Sequence, residues 1–90
     1  MTGSYSLVIK TSAERELRAL PKEDRRRVVD RARGLAHSPR PPGNEKLSGQ
    51  ERYRIRQGNY RIVYAIDDEA RLVEIVKIGH RHVGSVTVSV

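Results

Sequence analysis

The segment from Arg52 to Tyr64 constrains this chain more than any other. RYRIRQGNYRIVY places alternating side chains on both sides of Gly58-Asn59. Alternation with a period of two marks a strand, because successive Cβ atoms point to opposite faces of a pleated sheet. Gly58-Asn59 suits a two-residue hairpin, and that loop length fixes the register. Gln57 should oppose Tyr60, Arg56 oppose Arg61, Ile55 oppose Ile62, Arg54 oppose Val63 and Tyr53 oppose Tyr64. The side chains then divide by face. Tyr53, Ile55, Ile62 and Tyr64 share one face, and Arg52, Arg54, Arg56 and Arg61 share the other.

The remaining segments can be arranged around that hairpin. Residues 5–10 (YSLVIK) form a short β-type run. Thr11-Ser12-Ala13-Glu14 follows as a capping box that should start a helix, with Ala13, Leu17 and Leu20 at helical spacing. Pro21 interrupts and opens a second helix from its first position, with acidic residues in the first turn. Val28, Val29, Ala32, Leu35 and Ala36 form its apolar stripe. Arg25, Arg26, Arg27, Arg31 and Arg33 crowd the rest of its surface as a solvated charge run. His37, at its end, should meet the terminal carbonyls. Residues 38–44 (SPRPPGN) have loop chemistry. Residues 72–80 give a third strand of an antiparallel meander after the turn at 67–70. The expected fold class is α+β with the order β-α-α-β-β-β, one domain over residues 1–90, an antiparallel sheet packed on an N-terminal helical hairpin.

Charge decides what the free sheet face is for. The chain has 90 residues, 18 Lys+Arg against 11 Asp+Glu, and a formal charge of +7. Of the cations, 14 are arginine, whose planar fork of donors matches phosphate oxygens and stays protonated near neutral pH. Like charges set opposite each other across a sheet cost a few tenths to about 1 kcal/mol. Four guanidiniums on one face are therefore a folding cost that an anionic ligand would justify. The alternative is that they splay into solvent or pair with Glu51 or Glu74. No cysteine is present, which excludes a disulfide framework, a thiolate metal site and a cysteine nucleophile. Three histidines without clustered carboxylates make a weak case for a metal, and the expected chemistry is metal-independent with no cofactor. The first ten residues lack a signal pattern and no apolar run approaches the ~20 residues that cross a bilayer, so a cytoplasmic protein with no membrane partner is expected.

A phosphate-directed reaction also needs proton transfer. Cleavage of RNA by its own 2′-hydroxyl requires a base, a cation for the charge on the phosphorane and an acid for the departing 5′-oxygen. Arg61 and Arg81 suit the cationic role. His80 and His82 are the proton-transfer candidates, with Lys46 and Lys77 behind them. Hydrogen bonding of His80 to backbone at a strand end is the structural alternative.

Leu47-Ser48-Gly49, then Tyr53-Arg54-Ile55-Arg56, Gly58-Asn59-Tyr60-Arg61-Ile62-Val63-Tyr64 and Ile78-Gly79-His80-Arg81, in this order and spacing, resemble the RelE/ParE superfamily of toxins from type II toxin–antitoxin systems. The resemblance spans nearly the whole chain. It implies a fold similar to microbial ribonucleases and a cognate antitoxin that wraps and blocks the toxin. RelE-like members cleave mRNA in the ribosomal A site, whereas ParE-like members inhibit DNA gyrase and cut nothing. A third possibility is an inactive relative that binds antitoxin. For a RelE-like toxin the resemblance implies a catalytic set of Arg54, Arg56, Arg61 and Arg81, to which the proton-transfer reading above adds His80. Arg52, Lys46, Lys77 and His82 would contact mRNA or rRNA around it.

The family often has lysines where this chain has Arg54 and Arg56, so the general base is open. Members commonly carry a tyrosine beyond the Gly-His-Arg run, and here none follows Tyr64. Alternating Val and Ser/Thr at 85–90 suggests a last edge strand or an antitoxin-contacting segment, or else an unstructured end. A basic toxin should attract an acidic or amphipathic antitoxin segment. The apolar seam beside the helices and an exposed sheet edge are the expected docking surfaces.

Overall fold

The computed structural model describes residues 4–47 and 51–80. Its elements are β1 (Ser6–Ile9), α1 (Thr11–Arg18), α2 (Lys22–His37), β2 (Glu45–Lys46), β3 (Arg52–Gln57), β4 (Tyr60–Asp67) and β5 (Leu72–His80). They form one five-stranded sheet in the order β1-β5-β4-β3-β2. The expected meander is present as β3, β4 and β5, all antiparallel. Two features extend it. β1 joins in parallel against β5, so the sheet is mixed, and the two-residue β2 pairs antiparallel with β3.

The hairpin register is the expected one, from Gln57 opposite Tyr60 to Tyr53 opposite Tyr64. Gly58 has φ +60°, while Asn59 is not in the left-handed region, the arrangement of a turn that needs glycine first. Ile55, Ile62 and Tyr64 are buried with Val73, Ile75 and Ile78 beneath Ala13 and Leu17 of α1 and Val28, Ala32 and Leu35 of α2. Tyr60 is buried too, and its hydroxyl donates to Asp24 in the first turn of α2 at 2.7 Å.

Both helix starts differ from expectation. Lys10 and Pro21 are the N-caps, and neither supplies a side-chain capping bond. Glu14, instead of closing a capping box, pairs with Arg18 one turn on at 3.0 Å. The solvated description of the α2 arginines fails at Arg31, which is half-buried and whose Nε is buried without a hydrogen-bond partner. His37 is exposed and makes no side-chain hydrogen bond to the carbonyls at the end of α2.

A strap of polar contacts fixes the loop at 38–44. Tyr64 donates its hydroxyl to the Pro39 carbonyl at 2.7 Å. Arg40 donates to both oxygens of Asp68, at 3.1 and 3.3 Å, and lies 5.3 Å from the centre of the Tyr53 ring. Tyr5 donates to the same carboxylate at 2.8 Å. Tyr53 in turn stacks on Tyr64 with centroids 5.8 Å apart. The loop is thereby held against the sheet where it hands the chain into β2.

Candidate functional site

The open sheet face carries the candidate site, and two irregularities decide which side chains reach it. Across β3 and β4 the alternation holds: Arg54 lies opposite Val63, and Arg56 opposite Arg61. On β5 the alternation breaks. Val63 pairs with Lys77 but Tyr64 pairs with Ile75, so Val76 is an extra residue in the strand. Such a bulge reverses the facing of everything after it. Val73 and Ile75 are buried before it and Ile78 after it, which leaves Lys77 exposed on the same face as Arg54 and Arg61.

The second irregularity is β2. Glu45 pairs with Arg54 and Lys46 with Tyr53. Cross-strand partners share a face, so Glu45 joins the arginines while Lys46 lies on the helical side, opposite an aromatic ring. Lys46 is therefore not part of the cluster. Its nearest acidic partner is Glu51, at 4.0 Å. Arg52 does share the open face, opposite Ala65 and exposed, at the end of the hairpin away from the turn.

The ion pairs are not those expected. Arg54, 28% exposed, donates to Glu45, and neither Glu51 nor Glu74 pairs with the cluster. Lys77 pairs with Glu16 of α1 at 3.2 Å. The other Glu16 oxygen accepts the Ile78 backbone N–H at 2.9 Å. That N–H belongs to the part of β5 beyond Ile75, where β1 has ended. Glu16 thus blunts a strand edge that would otherwise stand open. Among the described residues, Arg56 and Arg61 form no ion pair.

These residues line a groove of about 590 Å³. Glu16 of α1, with Ala19 and Leu20 just past its end, forms one wall, and Arg54, Arg61 and Lys77 rise from the sheet over Val63. Next to it, Arg54 also borders a hollow of about 280 Å³ with Arg31, Glu45 and Arg56. The hydrogen bond from Arg54, then its charge and that of Arg56, hold the Glu45 carboxyl below its usual range. The arrangement suits an extended anionic chain: cations at roughly strand spacing, about 5 Å apart, beside an apolar wall.

Of the sequence-derived site residues, Arg54, Arg56, Arg61, Arg52 and Lys77 come together on this face. His80 closes β5 with its backbone opposite Tyr60. Arg81, His82 and the segment 83–90 lie outside the described residues, as do Ser48 and Gly49. Glu45 and Glu16 carried no sequence signal, because a two-residue strand and an edge cap leave no periodicity to read. Among the described residues no group of three or more His, Asp or Glu could hold a metal ion. No helix among them is long and apolar enough to cross a membrane.

Comparison with known proteins adds the lineage. The family described as "ParE toxin of type II toxin-antitoxin system, parDE" matches residues 7–83. Toxin RelG of Mycobacterium tuberculosis is 36% identical over 81 residues, covering 86% of this chain and 91% of that protein. In the M. tuberculosis toxin–antitoxin complex RelBE2, a similar chain gives a TM-score of 0.78 at 32% identity, covering 87% of this chain and 99% of that one. The isolated E. coli RelE toxin gives 0.76 at 29% identity, with 96% and 97% covered.

Proposed function

Because this chain belongs to the RelE/ParE superfamily of type II toxin–antitoxin toxins, we propose that it is a RelE-like endoribonuclease that cleaves mRNA in the ribosomal A site and so halts translation. The observation that carries this reading is the Arg56–Arg61 pair beside Arg54 on the open face, a like-charge contact that costs stability and is offset by a bound phosphate. In this reading Arg61 and Arg81 stabilise the phosphorane, Arg54 and Arg56 position the scissile phosphate, and Arg52, Lys77 and His82 hold flanking RNA. His80 is the proton donor proposed for the 5′-oxygen. Lys46, on the other face, is left out of the reaction and remains a candidate only for peripheral rRNA contact.

The cognate antitoxin is the proposed protein partner. Solved relatives include complexes of this kind, RelBE2 of M. tuberculosis among them. The apolar wall of the groove and the net positive charge of this chain favour an amphipathic acidic segment.

The test is primer extension on an mRNA in a reconstituted translation reaction, with wild type and Arg61→Ala in parallel and without antitoxin. New 3′ ends confined to ribosome-occupied codons and absent with the variant support the ribonuclease. A second reading is favoured by the matching family, whose description is that of a ParE toxin: inhibition of DNA gyrase, with the arginine face as a binding surface. Intact mRNA together with lost supercoiling would establish that reading in place of the first. Growth unaffected by expression without antitoxin would make the chain an inactive relative.

A further inference from the structure

The hollow of about 280 Å³ beside the groove holds a charge that nothing in the fold uses. It straddles the outer edge of β3, with Arg31 reaching in from α2 and Arg54 and Arg56 from the strand. Arg54 is taken by Glu45. Arg31 is half-buried, its Nε is buried without a hydrogen-bond partner, and among the described residues it forms no ion pair. An unpaired donor on a charged group out of water has a cost that packing alone does not require, since a neutral side chain would fill the same space.

The main chain adds a donor. Gln57 and Tyr60 close the two-residue turn as a hydrogen-bonded pair, so alternation along the ladder turns the N–H and carbonyl of Arg56 away from β4. Arg52, in the same phase of the strand, shows the direction: its carbonyl accepts the Leu47 N–H on that outer side at 2.8 Å. β2 pairs only with Tyr53 and Arg54, so among the described residues no strand meets Arg56 there. Gly43 borders the hollow instead, without a side chain and with nothing within 4 Å of an added Cβ.

Resting on the ribonuclease reading above, we infer that this hollow is a second phosphate site, in which Arg31 and the Arg56 N–H hold the RNA phosphate adjacent to the scissile one. Converging guanidinium and backbone N–H donors suit a phosphate, whose oxygens accept from several directions at once. Arg54 borders both the hollow and the groove, which makes the two cavities one track. Arg54 and Arg56 stand two residues apart on one face, about 7 Å, a span that neighbouring phosphates of an extended single strand cover. The site lies away from the reacting bond, so it acts on substrate affinity and not on the chemical step.

The experiment has two arms. In the first, the isotope-labelled toxin is titrated by NMR with inorganic phosphate and, separately, with acetate, for wild type and Arg31→Gln, each checked by thermal melting. The expected result is a saturable phosphate-dependent shift of the Arg31 Nε–H and Arg56 backbone N–H signals, with the Arg56 response much reduced in Arg31→Gln. No shift at either group overturns the site. A response to acetate as large as that to phosphate marks a carboxylate site, suited to an antitoxin side chain, and overturns the assignment to RNA.

In the second arm, mRNA on programmed ribosomes carries one uncharged methylphosphonate at a time on either side of the scissile linkage. One such position should raise the half-saturating concentration of wild-type toxin roughly 10–100-fold, as for a lost charge-assisted hydrogen bond, with kcat changed by no more than a few-fold. Arg31→Gln should show that loss on unmodified mRNA and no further loss on the modified strand. Losses that multiply overturn the pairing of Arg31 with that phosphate, as does wild-type affinity in Arg31→Gln. If Arg31→Gln fails to fold, the phosphate titration and methylphosphonate scan of wild type carry the test. Wild type that cuts unmodified mRNA and is weakened by no flanking methylphosphonate overturns the second site alone. Wild type that leaves unmodified mRNA uncut overturns the ribonuclease reading, and the assignment to mRNA falls with it.

Discussion

Arg56 and Arg61 face each other directly across the β3–β4 hairpin, and among the described residues neither is paired with an acid. Replacing one should trade function for stability. Arg56→Thr removes the repulsion and places a good strand former there, so urea denaturation should show a gain of about 0.2–1 kcal/mol. The same variant should arrest growth less severely when expressed without antitoxin. A loss of stability would mean that the pair is neutralised in a way the geometry does not contain.

The free arginine face should bind single-stranded RNA with a strong salt dependence. Each phosphate contact on a single strand adds about −0.7 to the slope of log K against log salt. Fluorescence anisotropy with a short oligonucleotide should show that slope becoming shallower by about one contact in Arg56→Ala. Lys46→Ala, on the opposite face, should leave it unchanged.

Gly58 takes φ +60° with nothing within 4 Å of an added Cβ. The cost of Gly58→Ala is therefore conformational and not steric. Left-handed backbone costs an L-residue about 1–2 kcal/mol, which for a domain of this size lowers Tm by roughly 4–8 °C per kcal/mol. Differential scanning calorimetry measures it. Because the turn sets which residues share a face, RNA binding should weaken in the same variant if the hairpin slips.

Tyr64 joins the core to the loop at 38–44 through its hydroxyl, 2.7 Å from the Pro39 carbonyl. Tyr64→Phe keeps the ring and its stacking on Tyr53 but removes the donor. The expected cost is about 1 kcal/mol, read from chemical denaturation. Hydrogen exchange at Asn44, whose N–H bonds to the Pro41 carbonyl, should rise along with it, because the loop loses one of its anchors.

Acid and alkali should loosen the same strap from opposite sides. Hydrogen bonds from Arg40 and then Tyr5 hold the Asp68 carboxyl below its ordinary value of 3.8. A depressed folded value means stability that is full above the unfolded value and is lost as pH falls through the folded one. The hydrogen bond to Asp68 raises Tyr5 above 10.0. Its contribution is present below the unfolded value and is lost as pH rises through the raised one. Asp68→Asn should flatten the acid limb of a stability-against-pH curve. It should also bring Tyr5 ionisation, followed by tyrosinate absorbance, back toward the ordinary value.

Much of the candidate site could be read from residues 52–64, because a two-residue turn and a period of two leave one register that buries Ile55, Ile62 and Tyr64 together. Arg54, Arg56 and Arg61 follow from that register without further information. Lys77 does not. Counted by alternation from Val73 and Ile75 it belongs on the buried face, and only the extra Val76 delivers it to the open one. Glu45 was illegible for a different reason. Its strand is two residues long and exists because the strap of Tyr64, Arg40 and Asp68 lays the loop along β3.

The sequence by itself determined the α+β class, the order of helices and long strands, and the sorting of arginines from core residues on the hairpin. All of these depend on interactions between near neighbours in the chain, where spacing dictates contact. Tertiary structure decided the parallel placement of β1, the bulge, and the pairing of Arg54 with Glu45 and of Lys77 with Glu16. Those contacts join segments that no periodicity links, and they arise from satisfying strand edges and buried backbone once the sheet and helices have packed.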